Sequence, residues 1–326
     1  MHIKLTRRLL IAFLLLSIVA ATIGMGCDGE VGQPSAMPSP GQLSSTLVPN
    51  VPLDMYVYAR QDSPTMIPAK MADAPGDIAV ESLAIWGVPP ENSFAIGMGL
   101  TLTSSGDASR IYEEIRLEDG GWKKLSDNII YLVQGSGTAA EALKTAISNN
   151  DFKYYDDSEP LEAVAALPGG GTTMPAAVAI AKPSEALIGF IARDASPESL
   201  GQINMILKLV KLKLVAAGLY SPQQIDIAKM AETMENGGNI SNLNMGMMVL
   251  VKSGYPGLLV EPAVGKLLTE RGFAETNIGG VTVYKGSQEI GGEAIPVLVR
   301  IEGNRIFAAV SGQDSYAETL ITGINK

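Results

Sequence analysis

The sequence predicts an α+β fold: two related repeat units, each a mainly antiparallel sheet with helices packed on one face, behind an N-terminal signal helix and a flexible tether. Short apolar or alternating stretches interleaved with amphipathic helical ones indicate the class. A segment of 22 residues that recurs near the C-terminus indicates an internal repeat. A composition of 46% apolar and 18% charged residues over 326 positions supplies a core for that much chain.

Residues 1–26 read as a leader. Lys4, Arg7 and Arg8 precede LLIAFLLLSIVAATI, which carries no charge. Basic residues stay on the cytoplasmic side while the apolar helix enters the bilayer. The apolar run reaches Gly26 and spans 18 residues, the lower edge for a membrane-crossing helix. An uncleaved anchor and conventional secretion therefore stand beside a cleaved signal as readings. Cys27, the one cysteine in the chain, follows Gly24-Met25-Gly26. As residues alone, it is a lipid-attachment point, a free thiol or a small residue in the leader.

This segment resembles the lipobox of bacterial lipoproteins, over the leader only. Gly26 fills the small position before the cysteine. Gly24 stands where the class has a branched aliphatic residue, and Ile23 lies one place further back. The resemblance implies that the Cys27 sulfur receives a diacylglycerol, that the signal is cut just before it, and that the new amino group accepts a further acyl chain. Residues 27–47 then form a proline- and glycine-rich tether between membrane and body.

Unit 1 covers residues 48–160 and unit 2 residues 161–326. Within them, DNIIYLVQGSGTAAEALKTAIS from Asp127 matches NRIFAAVSGQDSYAETLITGIN from Asn304. Aligned without gaps, they share Ile129/Ile306, Val133/Val310, Gly135/Gly312, Ala140/Ala317, Glu141/Glu318, Leu143/Leu320, Thr145/Thr322 and Ile147/Ile324. Each copy reads as strand, glycine turn and helix. Thr138 with Glu141, and Ser315 with Glu318, have capping-box spacing. Upstream, FAIGMGLTL and its following helix resemble MGMMVLVKSG and its helix, with Gly121-Trp122 matching Gly272-Phe273. The second unit adds a hairpin with strands at 281–284 and 295–301. The boundary falls in the proline–glycine stretch 159–175. Strands AAVAIA and ALIGFIA open unit 2. The segment 196–218, apolar all round but for Lys208, Lys211 and Lys213, is expected to be a buried helix ended by Gly218, with a second helix over 221–236.

Charge and residue types exclude several chemistries. The formal charge is −10, and loss of the leader's Lys4, Arg7 and Arg8 takes it to −13. A surface that acidic repels phosphate backbones, which excludes nucleic acid as a partner. The one histidine is His2, inside the leader. Histidine-based triads, histidine zinc sites and intramolecular disulfides are thereby absent from the processed chain. No phosphate loop, nucleophile elbow or dinucleotide fingerprint occurs: Gly97-Met98-Gly99 lacks a third glycine and reads as strand packing. Asp156, Asp157 and Glu159, beside Tyr154 and Tyr155, form the densest acidic group but lack the spacing of a calcium loop. No cofactor, metal or catalytic residue is assigned; the assigned site is lipidation at Cys27.

These readings point to a membrane-anchored extracytoplasmic lipoprotein with a non-enzymatic binding or scaffolding role at the cell envelope. Its partners would be the membrane, through the lipid anchor, and an unknown protein or small molecule. A solute-binding lipoprotein of a transporter is the alternative. A hydrolase built on two carboxylates stands third.

Overall fold

A computed structural model describes residues 3–4, 43–60, 80–89, 95–117, 121–169, 177–184, 210–220, 246–290 and 293–324. Its main elements are β1 (Leu47–Pro49), β2 (Met55–Arg60), β3 (Val80–Val88), β4 (Ala95–Leu102), α1 (Ser105–Glu114), β5 (Trp122–Ser126), β6 (Ile129–Gln134), α2 (Thr138–Ser148), β7 (Phe152–Tyr154) and α3 (Ser158–Ala165). There follow β8 (Ala177–Ala181), β9 (Leu212–Tyr220), β10 (Gly246–Ser253), α4 (Gly257–Glu270), β11 (Ala274–Ile278), β12 (Val281–Ile290), β13 (Glu293–Glu302), β14 (Arg305–Ser311) and α5 (Asp314–Thr322). The class is mixed sheet and helix, with sheet predominating. The leader and Cys27, most of the tether, the ALIGFIA strand and the 221–236 helix lie outside the described residues.

Twelve strands form one antiparallel sheet in the order β11-β12-β13-β14-β10-β9-β8-β2-β3-β4-β6-β5. The sequence suggested a separate sheet for each unit. The two join because β8, the first described strand after residue 161, pairs along its full length with β2. The joining strands carry Val57 and Ala59 on one side and Tyr56, Val178 and Ile180 on the other, all buried, so neither works as a solvated edge.

Helices cover both faces rather than one. In β6, Ile130 and Leu132 pack with Ala108 and Ile111 of α1. The alternate residues Tyr131 and Val133 pack with Leu143 and Ile147 of α2. Period-two alternation puts these two sets on opposite sides of the sheet. The C-terminal wing repeats the arrangement. Phe307 and Ala309 of β14 share the α2 face with Leu320 and Ile321 of α5. Ile306 meets Val260 and Val264 of α4 on the other.

That alternation corrects the gapless alignment. Ala140, Leu143 and Ile147 are buried in the same core as Ala317, Leu320 and Ile324, so the helical half of the match holds. Val133, however, faces α2, whereas Ile306 and Val310 lie on the face opposite Phe307 and Ala309. Leu143 follows Val133 by ten residues, whereas Leu320 follows Ala309 by eleven. One residue of slip inverts a whole strand, so Tyr131 matches Phe307 and Val133 matches Ala309. The capping boxes also fail. Both Thr138 and Ser315 lie inside their helices, whose caps are Gly137 and Gln313 without side-chain bonds. Glu141 pairs with Lys144 at 2.9 Å and Glu318 approaches Lys285 at 3.5 Å.

Of the segment expected to be a helix over 196–218, residues 196–209 lie outside the described ones, and Leu212 onward is strand β9. Its residues satisfy either period, because KLKLVAA alternates as well as it wraps. Gly218, expected to stop a helix, sits mid-strand opposite Met248, and the Tyr220 ring occupies the space a Cβ would fill.

Registers on the two sides of the β2–β8 pair match. Ala59 faces Ala177 and Met55 faces Ala181, which centres the pair on Val57 and Ala179. One strand out, β3–β4 shifts register between Val80 and Ser82, and β9–β10 shifts between Leu212 and Leu214. Glu81 and Lys213 are thus the extra residues at corresponding bulges. Further out, the Asn128 carbonyl accepts from Leu102 N–H at 2.9 Å and the Asn304 carbonyl from Ser253 N–H at 2.8 Å.

Candidate functional site

A groove of about 570 Å³ opens on the α2 face over β2, β3, β4 and β6. This is within the size range of small-ligand and peptide side-chain sites. Its floor is aromatic: Tyr56 and Tyr58 from β2, Trp86 from β3 and Tyr131 from β6, with Phe152 of β7 at the side. Ser45, Thr46 and Leu47 form one wall. The β5–β6 turn, Asp127 and Asn128, forms another, and Glu81, Ser82 and Thr101 complete the rim. No lysine, arginine or histidine is among the described lining residues.

The sequence places these rings by simple rules. Alternation in MYVYAR puts Tyr56 and Tyr58 on one side of β2. Tyr56 and Tyr58 have centroids 6.3 Å apart, and Tyr56 lies 4.8 Å from Tyr155. Trp86 lies 6.5 Å from Tyr131 in a near-parallel arrangement, and Tyr131 5.6 Å from Phe152. The Gly97-Met98-Gly99 motif makes room for the indole. A Cβ on Gly99 would stand 2.7 Å from Trp86 Cη2. The strand-packing reading of these glycines therefore holds. Trp86 Nε1 is buried without a hydrogen-bond partner, so packing holds the ring.

Thr46 Oγ1 donates to the Leu43 carbonyl at 2.7 Å, which leaves Tyr56 OH to donate to Thr46 Oγ1 at 2.6 Å. Burial pushes the Tyr56 phenol far above its ordinary range, and the Thr46 bond offsets this only in part. Burial likewise raises Tyr131. Both are neutral at ordinary pH. Glu81 and Asp127 are solvent-exposed, unlike the sheltered acid that glycoside hydrolysis uses. Through Tyr58 and Phe152, its half-buried rings, the groove can stack against a flat or cationic group, and it can accept hydrogen bonds at two carboxylates and exchange them at hydroxyls and amides.

The acidic cluster lies elsewhere, around the start of α3. Asp156 pairs with Lys153 at 3.4 Å and Asp157 with Lys182. Glu159 meets Lys213 at 2.8 Å and Lys252 at 3.0 Å. Each acid thus has lysine partners of its own, and no group able to hold a metal occurs among the described residues. Burial raises the Tyr155 phenol, and Asp157 and Asp156 add to the shift. The Lys213 hydrogen bond holds the Glu159 carboxyl below its ordinary value, against the opposing effect of burial, and Lys252 adds to it. A depressed folded pKa contributes stability above the unfolded value of 4.5 that is lost as pH falls through the folded one. Glu159→Gln is expected to flatten the loss of urea stability below pH 4.5 relative to the parent chain; parallel profiles would refute the assignment.

The boundary stretch 159–175 is correspondingly no open linker at its start. Residues 159–165 belong to α3, whose Ala163 and Val164 are buried in the shared core, and Pro168 accepts a 2.9 Å bond from Tyr220 OH. Glu81, Asp127 and the groove rings escaped the sequence reading because no linear motif joins positions from 45 to 152. Gly265 lies on α4 with the Tyr284 hydroxyl 2.5 Å from where its Cβ would be.

No family model matches the chain, and no curated protein matches it. Among solved structures it is similar to an N-terminal dehydratase from the difficidin assembly line at 8% identity, over 84% of this chain and 83% of that one. The TM-score is 0.12, at which the likeness carries no argument about fold or activity. Among the described residues, no helix is long and apolar enough to cross a membrane.

Proposed function

We propose that this chain is a membrane-anchored extracytoplasmic lipoprotein, acylated at Cys27, with a non-enzymatic binding role at the cell envelope performed by the aromatic groove. The observation that carries the reading is the place of the groove: Ser45, Thr46 and Leu47, where the tether ends, form its wall. About 20 residues of proline- and glycine-rich tether have a root-mean-square reach of roughly 25 Å. A ligand or partner held in the groove would thus stay close to the anchoring membrane.

The body is proposed to be a duplication, units 48–160 and 161–326 sharing one sheet. The matched registers about Val57 and Ala179 and the paired bulges at Glu81 and Lys213 support it. The transporter solute-binding alternative has less support, because it calls for doubly wound parallel sheets in two lobes. All pairings in the twelve-stranded sheet are antiparallel.

Growth with labelled palmitate tests the anchor. The parent chain is expected to take up label and partition with membranes, and Cys27→Ala to lose both. Label retained by Cys27→Ala would overturn the lipoprotein reading.

A further inference from the structure

We propose that the groove seats a short basic segment of a partner protein, whose lysine or arginine meets Glu81 and Asp127 above the aromatic floor. The inference deepens the binding role proposed above and rests on it. Its argument comes from the other wing of the sheet, where the chain itself fills the corresponding place. Counting outward from the matched bulges, Glu81 corresponds to Lys213 and Thr101 to Lys252. Those two lysines hold Glu159 of α3, at 2.8 and 3.0 Å. α3 therefore sits where an occupant of the groove would sit, and it docks by setting an acid against the bulge cation.

In the groove the charge is reversed. Glu81 stands at the bulge, Asp127 lies on the nearby turn, and no basic residue lines the site among those described. The floor is changed as well. Trp86 corresponds to Gly218, Tyr58 to Ile180 and Tyr56 to Val178. Tyr131 corresponds to Phe307, a ring common to both wings, and the Tyr220 ring lies over Gly218, but aliphatic residues replace Tyr56 and Tyr58, so the fold does not require those two. Aromatic faces beside carboxylates favour a lysine or arginine through cation–π attraction and ion pairing together. An acidic or phosphorylated occupant would meet repulsion. The tether is a poor occupant, because residues 28–42 contain Asp28 and Glu30 and no basic residue.

The test uses the full chain in detergent, so its result does not depend on acylation of Cys27. The probe is a synthetic peptide of residues 158–167 carrying Glu159→Lys and Glu162→Lys, with the unaltered peptide as control. The chain has two tryptophans, so a Trp122→Phe background leaves Trp86 to report. The lysine peptide is expected to change Trp86 emission saturably. Glu81→Lys should weaken it at least tenfold and confer binding of the unaltered, acidic peptide. Glu81→Gln, a milder variant, should lie between, and circular dichroism checks that each is folded. The proposal is overturned if the lysine peptide gives no saturable change at millimolar concentration, or if both peptides bind the parent equally. It is also overturned if cellotriose binds instead and Glu81→Lys leaves that binding unchanged. Palmitate label lost on Cys27→Ala with peptide binding absent would retain the anchor and remove the ligand; label retained on Cys27→Ala with peptide binding present would do the opposite.

Discussion

Gly97→Ala is expected to destabilise the protein by about 3 kcal/mol, the upper part of the range for overpacking a tight core. The new Cβ would stand 2.5 Å from Leu143 Cδ2 and 3.1 Å from Trp86 Cε3. Leu143, the nearer neighbour, is 0% exposed and held between helix and sheet, so it has little room to retreat. Gly246→Ala should act alike in the other wing, where the Cβ would lie 2.7 Å from Tyr316 Cε1 and 2.8 Å from Leu320 Cδ1. Leu143 and Leu320 are the matched helix leucines, so each wing brings a sheet glycine against the same helix position. Urea unfolding gives the measurement. Leu143→Ala alone should cost about 3 kcal/mol by leaving a cavity. The double variant Gly97→Ala/Leu143→Ala should cost clearly less than the two separately, because the added methyl occupies the space the leucine vacated. Gly106→Ala is the control: its Cβ would meet only Ser104 Oγ at 3.7 Å, and helix propensity favours the change by ~0.5–1 kcal/mol. Additive costs for Gly97 and Leu143 would show that the two do not share a contact.

The pattern of what was legible in the sequence follows from the range of each interaction. Strands β6 and β14 and helices α2 and α5 were readable because their periodicity is local, and Ala140, Leu143 and Ile147 were correctly placed in the core. The face of each strand was not, because it depends on the length of the connection, and one residue more between strand and α5 inverts the match of Val133 with Val310. β9 was missed because Leu212, Leu214 and Val215 fit a buried helix and a two-sided strand equally. The matched wings were only partly visible: the registers agree about Val57 and Ala179, while the aligned side chains, Tyr56 with Val178 or Trp86 with Gly218, differ in size and chemistry. The groove was invisible for a related reason. Its residues come from seven strands and three connections, and none has a neighbour in sequence that announces its role. The clustering of aromatics in residues 56–155 of a chain that is 6% aromatic was the available signal.

Arg300→Ala is expected to cost about 3 kcal/mol, the low end for removing one member of a buried ion pair. Arg300 is 7% exposed, pairs with Glu302 and donates from Nη1 to the Ile321 carbonyl at 3.4 Å near the end of α5. Its loss would leave a sheltered carboxylate with Arg305, at 3.3 Å, as its remaining cation, and a helix-end carbonyl without its donor. Lys124 takes the corresponding position in the N-terminal wing, since it faces Tyr131 as Arg300 faces Phe307. There the ammonium donates to the Ile147 carbonyl at 2.9 Å and the Ser148 carbonyl at 3.3 Å, at the end of α2. Both cations complement the negative end of their helix. Lys124 has no carboxylate partner among the described residues and is only half-buried, so Lys124→Ala should cost ~1 kcal/mol. The comparison also predicts that Arg300→Lys recovers much of the loss, because a lysine already spans this distance in the other wing. Urea midpoints for the three variants decide the matter. If Arg300→Lys proved as damaging as Arg300→Ala, the Nη2 contact to Glu302 and not the helix-end charge would be the dominant contribution, and the likeness of the two positions would end at their place in the sheet.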